Sequence, residues 1–315
     1  MILGGTRFVG RHIAAAALAA GHAVTTFTRG RNPLPGTESL VGDRATGDYA
    51  ALHGRRFDAV IDVNAYVPRA VREAAAALET THYTFVSTVS VYQDCRDPGI
   101  DEDAPLQTLA DPNGEAVTGE TYGGLKVLCE REAARLHGAC LVIRPHLVAG
   151  PMDPTGRFGY WPRRFRDQPQ VLVPGRPEFT LQYVDARDQA EFIVRSVASR
   201  RTGTFNSAAP PTTWGALVEA CAGAAKAVWV DEAWLAAEGV KPWTDLPLWL
   251  PQDAEDRGLL GTNSGRALAA GLAIRPLRDT VRDVLAEDTP GAGAPAVGLA
   301  VERERDLLAR WRAAG

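Results

Sequence analysis

The first ten residues constrain the fold of this chain more than any other stretch. Residues 1–3 form a short apolar segment typical of a strand, and it runs directly into a glycine-containing loop at residues 4–10. After this loop we predict a helix over residues 11–20, closed by Gly21. Free backbone N–H groups and the positive end of the helix dipole then point at one place. Such a place suits the pyrophosphate of a dinucleotide.

The glycines of this loop let the backbone approach a ligand closely, and Gly10 would allow the helix to lie against the sheet. Arg7 departs from the dinucleotide fingerprint, because it stands where the middle glycine usually is. Its side chain either reaches over the phosphates as an extra cation or swings outward. An ordinary strand-to-helix turn is the alternative interpretation of the whole stretch.

Composition excludes several classes of protein. The chain has 315 residues, of which 45% are hydrophobic and 23% charged, as in a globular protein with a sizeable core. A net charge of −4 gives no general affinity for nucleic acid or for an anionic membrane. The four cysteines are not closely paired, so they indicate neither a metal site nor a disulfide framework, and a cytoplasmic location fits. The alanine-rich run at 13–20 is too short to span a bilayer.

Strands and helices alternate along the first two thirds of the chain. Besides the first strand, the β-branched and aromatic runs predict strands at 22–28, 39–41, 57–63, 83–88 and 139–144. This alternation predicts an α/β fold with a doubly wound parallel sheet, whose ligands gather at the carboxyl ends of the strands.

Prolines and glycines become frequent after residue 150 and divide the chain. We predict a dinucleotide-binding domain over 1–150, to which 184–210 return, and a smaller substrate-binding subdomain formed by 151–183 and 211–288. We predict that residues 289–298 form a flexible link. Residues 299–315 read as a helix that docks on its own chain or on a partner.

The strand ends carry the residues expected to select the cofactor. Arg29 and Arg31 follow the second strand, where an acidic residue would hold the ribose of NAD and an arginine would accommodate the 2′-phosphate of NADP. The pattern favours NADP, with NAD and solvated surface arginines as alternatives. Asp43 follows the third strand and is a candidate acceptor for the adenine amino group. Asn64 and Ala65 follow the next long strand and are expected to touch the cofactor.

Tyr122 and Lys126 are four residues apart and share one face of a predicted helix. A free tyrosine has a pKa of about 10, and a nearby ammonium favours the phenolate, so the pair suits acid–base chemistry at neutral pH. Ser87 and Thr88 end a buried strand upstream, where a hydroxyl is placed to hold a substrate oxygen. Without that context, the spacing would equally indicate two residues on the exposed surface of a helix.

Taken together, these motifs resemble the short-chain dehydrogenase/reductase superfamily, in its extended, epimerase/dehydratase-like branch. The resemblance runs over nearly the whole chain: Gly4-Gly5 with Gly10, the strand end at Ser87 to Tyr92, Tyr122 with Lys126, Arg144-Pro145 with Gly150-Pro151, Tyr183 to Asp188, and Phe205-Asn206. It implies a Rossmann-type sheet and a homodimer. In that resemblance Tyr122 is the general acid/base, Lys126 its electrostatic and ribose partner, and Thr88 the hydroxyl that orients the substrate.

The candidate cofactor-binding residues are the whole glycine loop, the strand ends and the catalytic pair: Gly4, Gly5, Thr6, Arg7, Phe8, Val9, Gly10, Arg29, Arg31, Asp43, Asn64, Ala65, Tyr122, Lys126 and Pro145. Candidate substrate contacts are Ser87, Thr88, His146, Arg163 and Arg164. His146 departs from the family pattern, and it either titrates in the site or is a buried, hydrogen-bonded histidine. Arg163 and Arg164 stand beside aromatic residues and suit an anionic substrate group, unless they form a solvated helix face.

The sequence therefore predicts an NAD(P)-dependent oxidoreductase that transfers hydride between NADPH and a small polar carbonyl or alcohol. One alternative is a nucleotide-sugar epimerase or dehydratase, in which tightly bound NAD borrows a hydride and returns it. A second alternative is a dinucleotide-sensing or RNA-associated protein without catalysis, against which the complete set of Thr88, Tyr122 and Lys126 argues. No metal, nucleic acid or membrane is expected as a partner.

Overall fold

The computed structural model describes residues 1–138, 140–286 and 297–314. The strands in chain order are β1 (Ile2–Leu3), β2 (Thr25–Thr28), β3 (Glu38–Val41), β4 (Arg55–Phe57), β5 (Val60–Asp62), β6 (Leu78–Thr80), β7 (Tyr83–Val86), β8 (Leu141–Pro145), β9 (Val148–Ala149), β10 (Gln170–Pro174), β11 (Thr180–Leu181), β12 (Val184–Asp185), β13 (Gly203–Ser207), β14 (Thr212–Thr213) and β15 (Lys226–Val230). The helices are α1 (Phe8–Ala19), α2 (Pro68–Ala77), α3 (Tyr122–His137), α4 (Tyr160–Asp167), α5 (Ala186–Ala198), α6 (Trp214–Cys221), α7 (Glu232–Ala237), α8 (Gly265–Ala269), α9 (Leu277–Ala286) and α10 (Val301–Ala314).

A seven-stranded parallel sheet forms the centre of the molecule, in the order β13-β8-β7-β5-β1-β2-β3. Ile2 of β1 pairs with Thr26 of β2 on one side and with Ile61 of β5 on the other. The strand order therefore reverses at β1, and a crevice opens at the carboxyl ends of β1 and β5. This sheet confirms the predicted doubly wound α/β class.

Helices cover both faces of the sheet because its strands are apolar on both sides. On one face α2 and α3 pack over Leu3, Phe85 and Val142. On the other face α1 and α5 pack together over Ile2, Ile61 and Ile143. The alternation of side chains along each strand thus supplies two cores from one set of short strands.

Helix α1 begins at Phe8, three residues earlier than the sequence pattern predicts. The chain reverses at Gly4 and Gly5, whose φ angles are +100° and +93°. The helical turn starts directly after Arg7, which has extended backbone angles. Gly10 consequently lies in the first turn of the helix rather than in the loop.

A second apolar core lies outside the main sheet. The parallel pair β10 and β15 supports it, and Trp161 and Trp214 meet edge to face with ring centroids 4.7 Å apart. Trp249, which the sequence assigns to this region, is buried in the same cluster. Strand β13 returns to the main sheet beside β8, within the segment 184–210. The division into a cofactor domain and a substrate subdomain stays a prediction.

The C-terminal helix α10 docks on its own chain. Glu304, which is 2% exposed, accepts a hydrogen bond of 2.8 Å from the backbone N–H of Leu172 in β10. The same carboxylate pairs with Arg164 of α4 at 3.0 Å. Most of the predicted link at 289–298 lies outside the described residues. In the part of the chain that the structure describes, no helix is both long and apolar enough to cross a membrane.

Replacing Glu304 by alanine should destabilise the fold by about 3–5 kcal/mol, because the substitution leaves Arg164 buried without its carboxylate and the N–H of Leu172 unpaired. Chemical denaturation measures this change in the free energy of unfolding. Asp306→Ala is the matched control on the same helix, since its side chain is 66% exposed and its ion pair should contribute less than about 1 kcal/mol. Equal effects of the two substitutions would contradict the docking role of Glu304.

Candidate active site

The glycine loop between β1 and α1 is shaped so that its glycines cannot be replaced. A Cβ atom on Gly10 would lie 2.5 Å from Cα and 2.6 Å from the backbone nitrogen of Gly5. A Cβ atom on Gly4 would lie 2.6 Å from a methyl group of Val63. The helix start therefore touches the loop backbone directly. Binding of an anionic ligand at the N-terminus of α1 stays a prediction from the sequence.

The remaining loop residues surround this turn without blocking it. Arg7 is the residue that precedes α1, and its exposed side chain makes no capping hydrogen bond. Thr6, Phe8 and Val9 are half-buried. Phe8 has a positive φ angle of 30°, a rare value for a residue with a side chain. The turn is therefore held in an unusual conformation where the cofactor is expected.

The cofactor-selecting positions lie at the carboxyl ends of β2 and β3. Arg29 and Arg31 are exposed. Asp43 is partly buried, and its Oδ1 accepts a hydrogen bond of 2.9 Å from the N–H of Ala45. This bond fixes the carboxylate in a turn and leaves Oδ2 for an adenine amino group.

A buried ion pair between Arg44 and Asp62 was not predicted from the sequence. The guanidinium donates two hydrogen bonds to the Asp62 carboxylate, at 2.6 and 2.8 Å, and a third of 2.7 Å to Oδ1 of Asn64. Burial alone would raise the pKa of Asp62, but the Arg44 charge and the hydrogen bonds from Arg44, Tyr83 and the N–H of Asn64 together hold that pKa below its usual range. The only available signal was an arginine near one strand end and an aspartate at another.

Residues 63–66 connect the glycine loop to the catalytic pair. Val63 and Asn64 lie against Gly4, and the carbonyl of Ala65 accepts a hydrogen bond of 3.0 Å from Nζ of Lys126. The predicted cofactor loop and the predicted catalytic helix are therefore neighbours at one edge of the sheet.

Lys126 is 3% exposed, and its ammonium group is held by backbone rather than by a carboxylate. It donates a hydrogen bond of 2.7 Å to the carbonyl of Val86, at the end of β7, in addition to the one to Ala65. Its Nζ lies 4.2 Å from the centre of the Phe85 ring, a favourable cation–π distance. Burial lowers the pKa of Lys126 to about 8.

Tyr122 lies one turn before Lys126, at the start of α3. Gly123 lets this helix approach the chain after β7, because a Cβ at that position would collide with the carbonyl oxygen of Ser90. Tyr122 is thereby brought beside Thr88.

The sequence predicts that Lys126 lowers the pKa of Tyr122. In the structure burial raises that pKa, Tyr66 raises it further, and the Thr88 hydroxyl lowers it.

The hydroxyl groups at the end of β7 differ in their surroundings. Oγ1 of Thr88 accepts a hydrogen bond of 3.1 Å from the N–H of Ser90, which orients the side chain. Oγ of Ser87 is buried and has no hydrogen-bond partner among the described residues. Thr88 is thus the hydroxyl placed beside Tyr122. Ser87 offers a second, unpaired one next to it in the chain.

His146 is buried at 7% exposure, directly after Pro145, the buried last residue of β8. Its Nε2 donates a hydrogen bond of 3.0 Å to the carbonyl of Leu259, since a carbonyl only accepts. Burial lowers the pKa of His146 to about 4. The residue is therefore neutral at physiological pH, as in the second interpretation that the sequence left open.

The two arginines predicted to bind substrate have different surroundings. Arg164 forms the buried pair with Glu304 and also donates to the carbonyl of Leu299. Its charge is already compensated inside the protein, so the substrate role predicted for it is not supported. Arg163 is half-buried and donates to the carbonyl of Gly156 at 3.5 Å. For Arg163 the substrate role stays a prediction.

A second buried network anchors the catalytic helix to the sheet. Arg144 of β8 donates to Glu130 of α3 at 3.1 and 2.7 Å, and to the hydroxyl of Tyr92 at 3.1 Å. The Tyr92 hydroxyl in turn donates to Oδ1 of Asn206 at 2.6 Å. Glu130 lies one turn beyond Lys126 on α3. This network therefore fixes the position of the helix that carries both catalytic candidates.

Comparison with known proteins adds a family and a fold. The model of the NAD dependent epimerase/dehydratase family matches residues 45–208. The chloroplast stem-loop binding protein of 41 kDa b from Arabidopsis thaliana is 33% identical over 111 residues. The aligned segment spans only 29% of that protein and 29% of this chain.

Two solved structures illustrate the likeness in fold. MoeE5 in complex with UDP-glucuronic acid and NAD is 16% identical with a TM-score of 0.64, over 92% of this chain and 99% of that one. UDP-glucuronic acid 4-epimerase from Bacillus cereus in complex with NAD is 14% identical with a TM-score of 0.63, over 91% and 97%. At these identities the likeness establishes the shared fold.

Gly10→Ala should weaken dinucleotide binding by about tenfold or more, because the added Cβ forces Gly5 and the loop apart at a cost of ~1–3 kcal/mol. Titration of purified protein with NAD and with NADPH measures the change. Gly119→Ala is the control, since a Cβ at Gly119 would meet no atom within 4 Å. Unchanged affinity in Gly10→Ala would show that the ligand does not use this loop.

Proposed function

Because the chain belongs to the NAD-dependent epimerase/dehydratase family, we propose that it is an NAD-dependent enzyme that acts on a nucleotide-linked sugar. Its reaction moves hydride away from a substrate carbon and back. The observation that carries the proposal is the meeting of Thr88, Tyr122 and Lys126 at the carboxyl end of β7, joined through Ala65 to the glycine loop. This reaction was the alternative in the sequence analysis, where reduction of a small carbonyl was preferred.

The residues present fit a dinucleotide. Because Gly10 has no Cβ, the start of α1 lies directly against the backbone of Gly5, and the N–H groups of this turn would hold a pyrophosphate. Asp43 and Asn64 would line the adenosine side of the site, and Lys126 would hold the ribose next to the nicotinamide. When bound, NAD supplies the acceptor for the hydride.

Tyr122 would move the proton of the substrate hydroxyl. As a phenolate, Tyr122 would take that proton while hydride leaves the carbon, and the resulting phenol would return it when hydride comes back. This role requires a fall in the pKa of Tyr122 when cofactor and substrate bind. Thr88 donates a hydrogen bond toward the same oxygen. Lys126, with a pKa of about 8, remains mostly protonated at neutral pH and supplies the positive charge that favours the phenolate.

Epimerisation fits this site better than dehydration does. Loss of water from a sugar needs groups that remove a proton from carbon and protonate the leaving hydroxyl, in addition to Tyr122. The two carboxylates that interact with Lys126 are those of Asp62 and Glu130, and both are committed to buried arginine pairs. Neither is therefore placed for that further proton transfer.

An NADPH-dependent reductase is the second candidate. It is favoured by the two exposed arginines at the end of β2, Arg29 and Arg31, and by the lack of an acidic residue beside them.

A homodimer and a cytoplasmic location also stay predictions. The surfaces of α2 and α3, which would pair in such a dimer, carry the ion pairs Arg69–Glu73 and Arg72–Glu132.

The proposed activity is tested with Tyr122→Phe. Wild-type protein should release NAD on denaturation and interconvert a UDP-sugar, for which UDP-glucose and UDP-glucuronic acid are the first choices. Removing the phenolic hydroxyl should lower turnover by about 10²–10⁴-fold and leave NAD affinity within about twofold, because the ring still packs. Thr88→Ser, which keeps its hydroxyl, is the control that should retain activity. Full turnover by Tyr122→Phe would remove Tyr122 from the mechanism.

The cofactor choice is tested with Arg29→Ala combined with Arg31→Ala. If these arginines hold a 2′-phosphate, the affinity for NADPH should fall about tenfold or more while that for NADH stays constant, because charge-assisted hydrogen bonds contribute ~1.5–3 kcal/mol. Arg56→Ala, another exposed arginine, is the control. A wild-type protein that retains NAD through purification and prefers it to NADPH would favour the epimerase and make both arginines surface residues.

A further inference from the structure

Tyr66 is a large aromatic side chain that lies in the site without a role in the chemistry described above. It is 49% exposed, although the residue before it, Ala65, is fully buried. Its ring centroid is 6.3 Å from that of Tyr122, with the two planes tilted by 41°. The same ring lies 5.7 Å from Nζ of Lys126. Tyr66 therefore contacts both members of the catalytic pair.

The position of Tyr66 is set by the elements around it. Asp62 ends β5, and α2 begins at Pro68, whose fixed φ angle suits the first turn of a helix. The short connection between them is held at Ala65 by the hydrogen bond from Lys126. The backbone that carries Tyr66 is thus fixed next to the ammonium of Lys126.

The surroundings of Nζ form a cage of four groups: the carbonyls of Val86 and Ala65, and the rings of Phe85 and Tyr66. The Phe85 ring and the Val86 carbonyl belong to β7, and the Ala65 carbonyl belongs to the loop after β5. All three residues are buried. Tyr66 is the member of this cage that is half open to solvent. It is therefore the wall through which water would reach the ammonium.

We propose that Tyr66 is a positioning residue of this active site, whose ring closes the cage around Lys126 and keeps its ammonium dry beside Tyr122. The inference rests on the proposed catalytic role of Lys126. A dry ammonium interacts more strongly with a developing phenolate than a hydrated one does, because the local dielectric constant is low. Tyr66 itself raises the pKa of Tyr122. Through Lys126 it would act in the opposite direction, by strengthening the attraction between the ammonium and the phenolate.

Two opposing effects of the ring on Lys126 differ in size. As a cation–π partner at 5.7 Å, the ring favours the charged amine, by about half a pH unit. As a shield, it disfavours the charged amine, and burial is the largest influence on the pKa of Lys126, which it lowers to about 8. Because Tyr66 is the half-exposed member of the cage, we expect its removal to admit water and make Lys126 more basic.

Other charged or titratable groups also face Lys126 and must stay unchanged in a test. They come from three elements: Asp62 at the end of β5, Arg44 after β3, and Cys129 and Glu130 on α3. Tyr122 precedes Lys126 on the same helix. Substitution of Tyr66 leaves all of them in place, so a change in the titration of Lys126 reports on the cage.

The test uses the titration of Lys126 followed by NMR of protein labelled with ¹³C-lysine. The chain has three lysines, and Lys226 and Lys241 are exposed, so the buried Lys126 can be told apart from them. Lys226→Arg and Lys241→Arg assign the signals. In wild-type protein Lys126 should titrate at least one pH unit below the ordinary lysine value of about 10.4. In Tyr66→Ala it should shift upward by about one unit.

Two conservative variants separate shielding from other effects. Tyr66→Phe keeps the ring, and Tyr66→Leu keeps apolar bulk without a ring. Both should leave Lys126 close to its wild-type titration, and Tyr66→Phe should restore the pH profile of turnover that Tyr66→Ala changes. Because Tyr66 is half exposed, these variants should fold, and circular dichroism checks this.

An unchanged titration of Lys126 in Tyr66→Ala would overturn the proposal, and so would a wild-type Lys126 that titrates with the exposed lysines. The measurement needs neither substrate nor turnover. If the protein acts on no UDP-sugar but Lys126 shifts as expected, the proposed reaction fails while the cage stands.

Discussion

A buried ammonium group, that of Lys126, is the feature on which the arrangement of the site depends. Removing a lysine charge from water costs several kcal/mol unless other groups compensate for it. Here the compensation comes from the carbonyls of Val86 and Ala65 and from the ring of Phe85. Those carbonyls are free to accept because β7 and β5 end where the crevice begins. A parallel sheet thus supplies the acceptors that a catalytic lysine needs.

Three buried arginine–carboxylate pairs connect elements of the fold, and two of them lie near this lysine. Arg44 joins the end of β3 to Asp62 of β5, Arg144 joins β8 to the catalytic helix, and Arg164 joins α4 to Glu304 of α10. Each pair connects segments that are distant in the sequence. A buried pair that loses one member leaves an uncompensated charge, so each connection strongly favours one arrangement of its elements over others. The geometry of the site is therefore specified by polar contacts as well as by the apolar cores.

Much of the fold could be predicted from the chain because its signals are local. The glycine loop, the alternation of strands and helices, and the spacing of Tyr122 and Lys126 each depend on residues close together in the sequence. Family membership and the doubly wound sheet are confirmed. The start of α1 was predicted three residues late, because the role of Gly10 is visible only when its contact with Gly5 is known. Local patterns locate elements better than they locate their ends.

Taken by itself, the sequence determined the class of fold and the family, and it predicts the cofactor loop and the catalytic pair. These signals are local, because hydrophobic periodicity, glycine placement and helical spacing each depend on residues close together in the chain. Only the tertiary structure decided what surrounds that pair. It showed that Lys126 bonds to two carbonyls, that Arg164 is committed to Glu304, and that Tyr66 lies over the ammonium. Burial, electrostatic shifts and long-range partners arise when distant segments meet. No local sequence pattern encodes those long-range contacts.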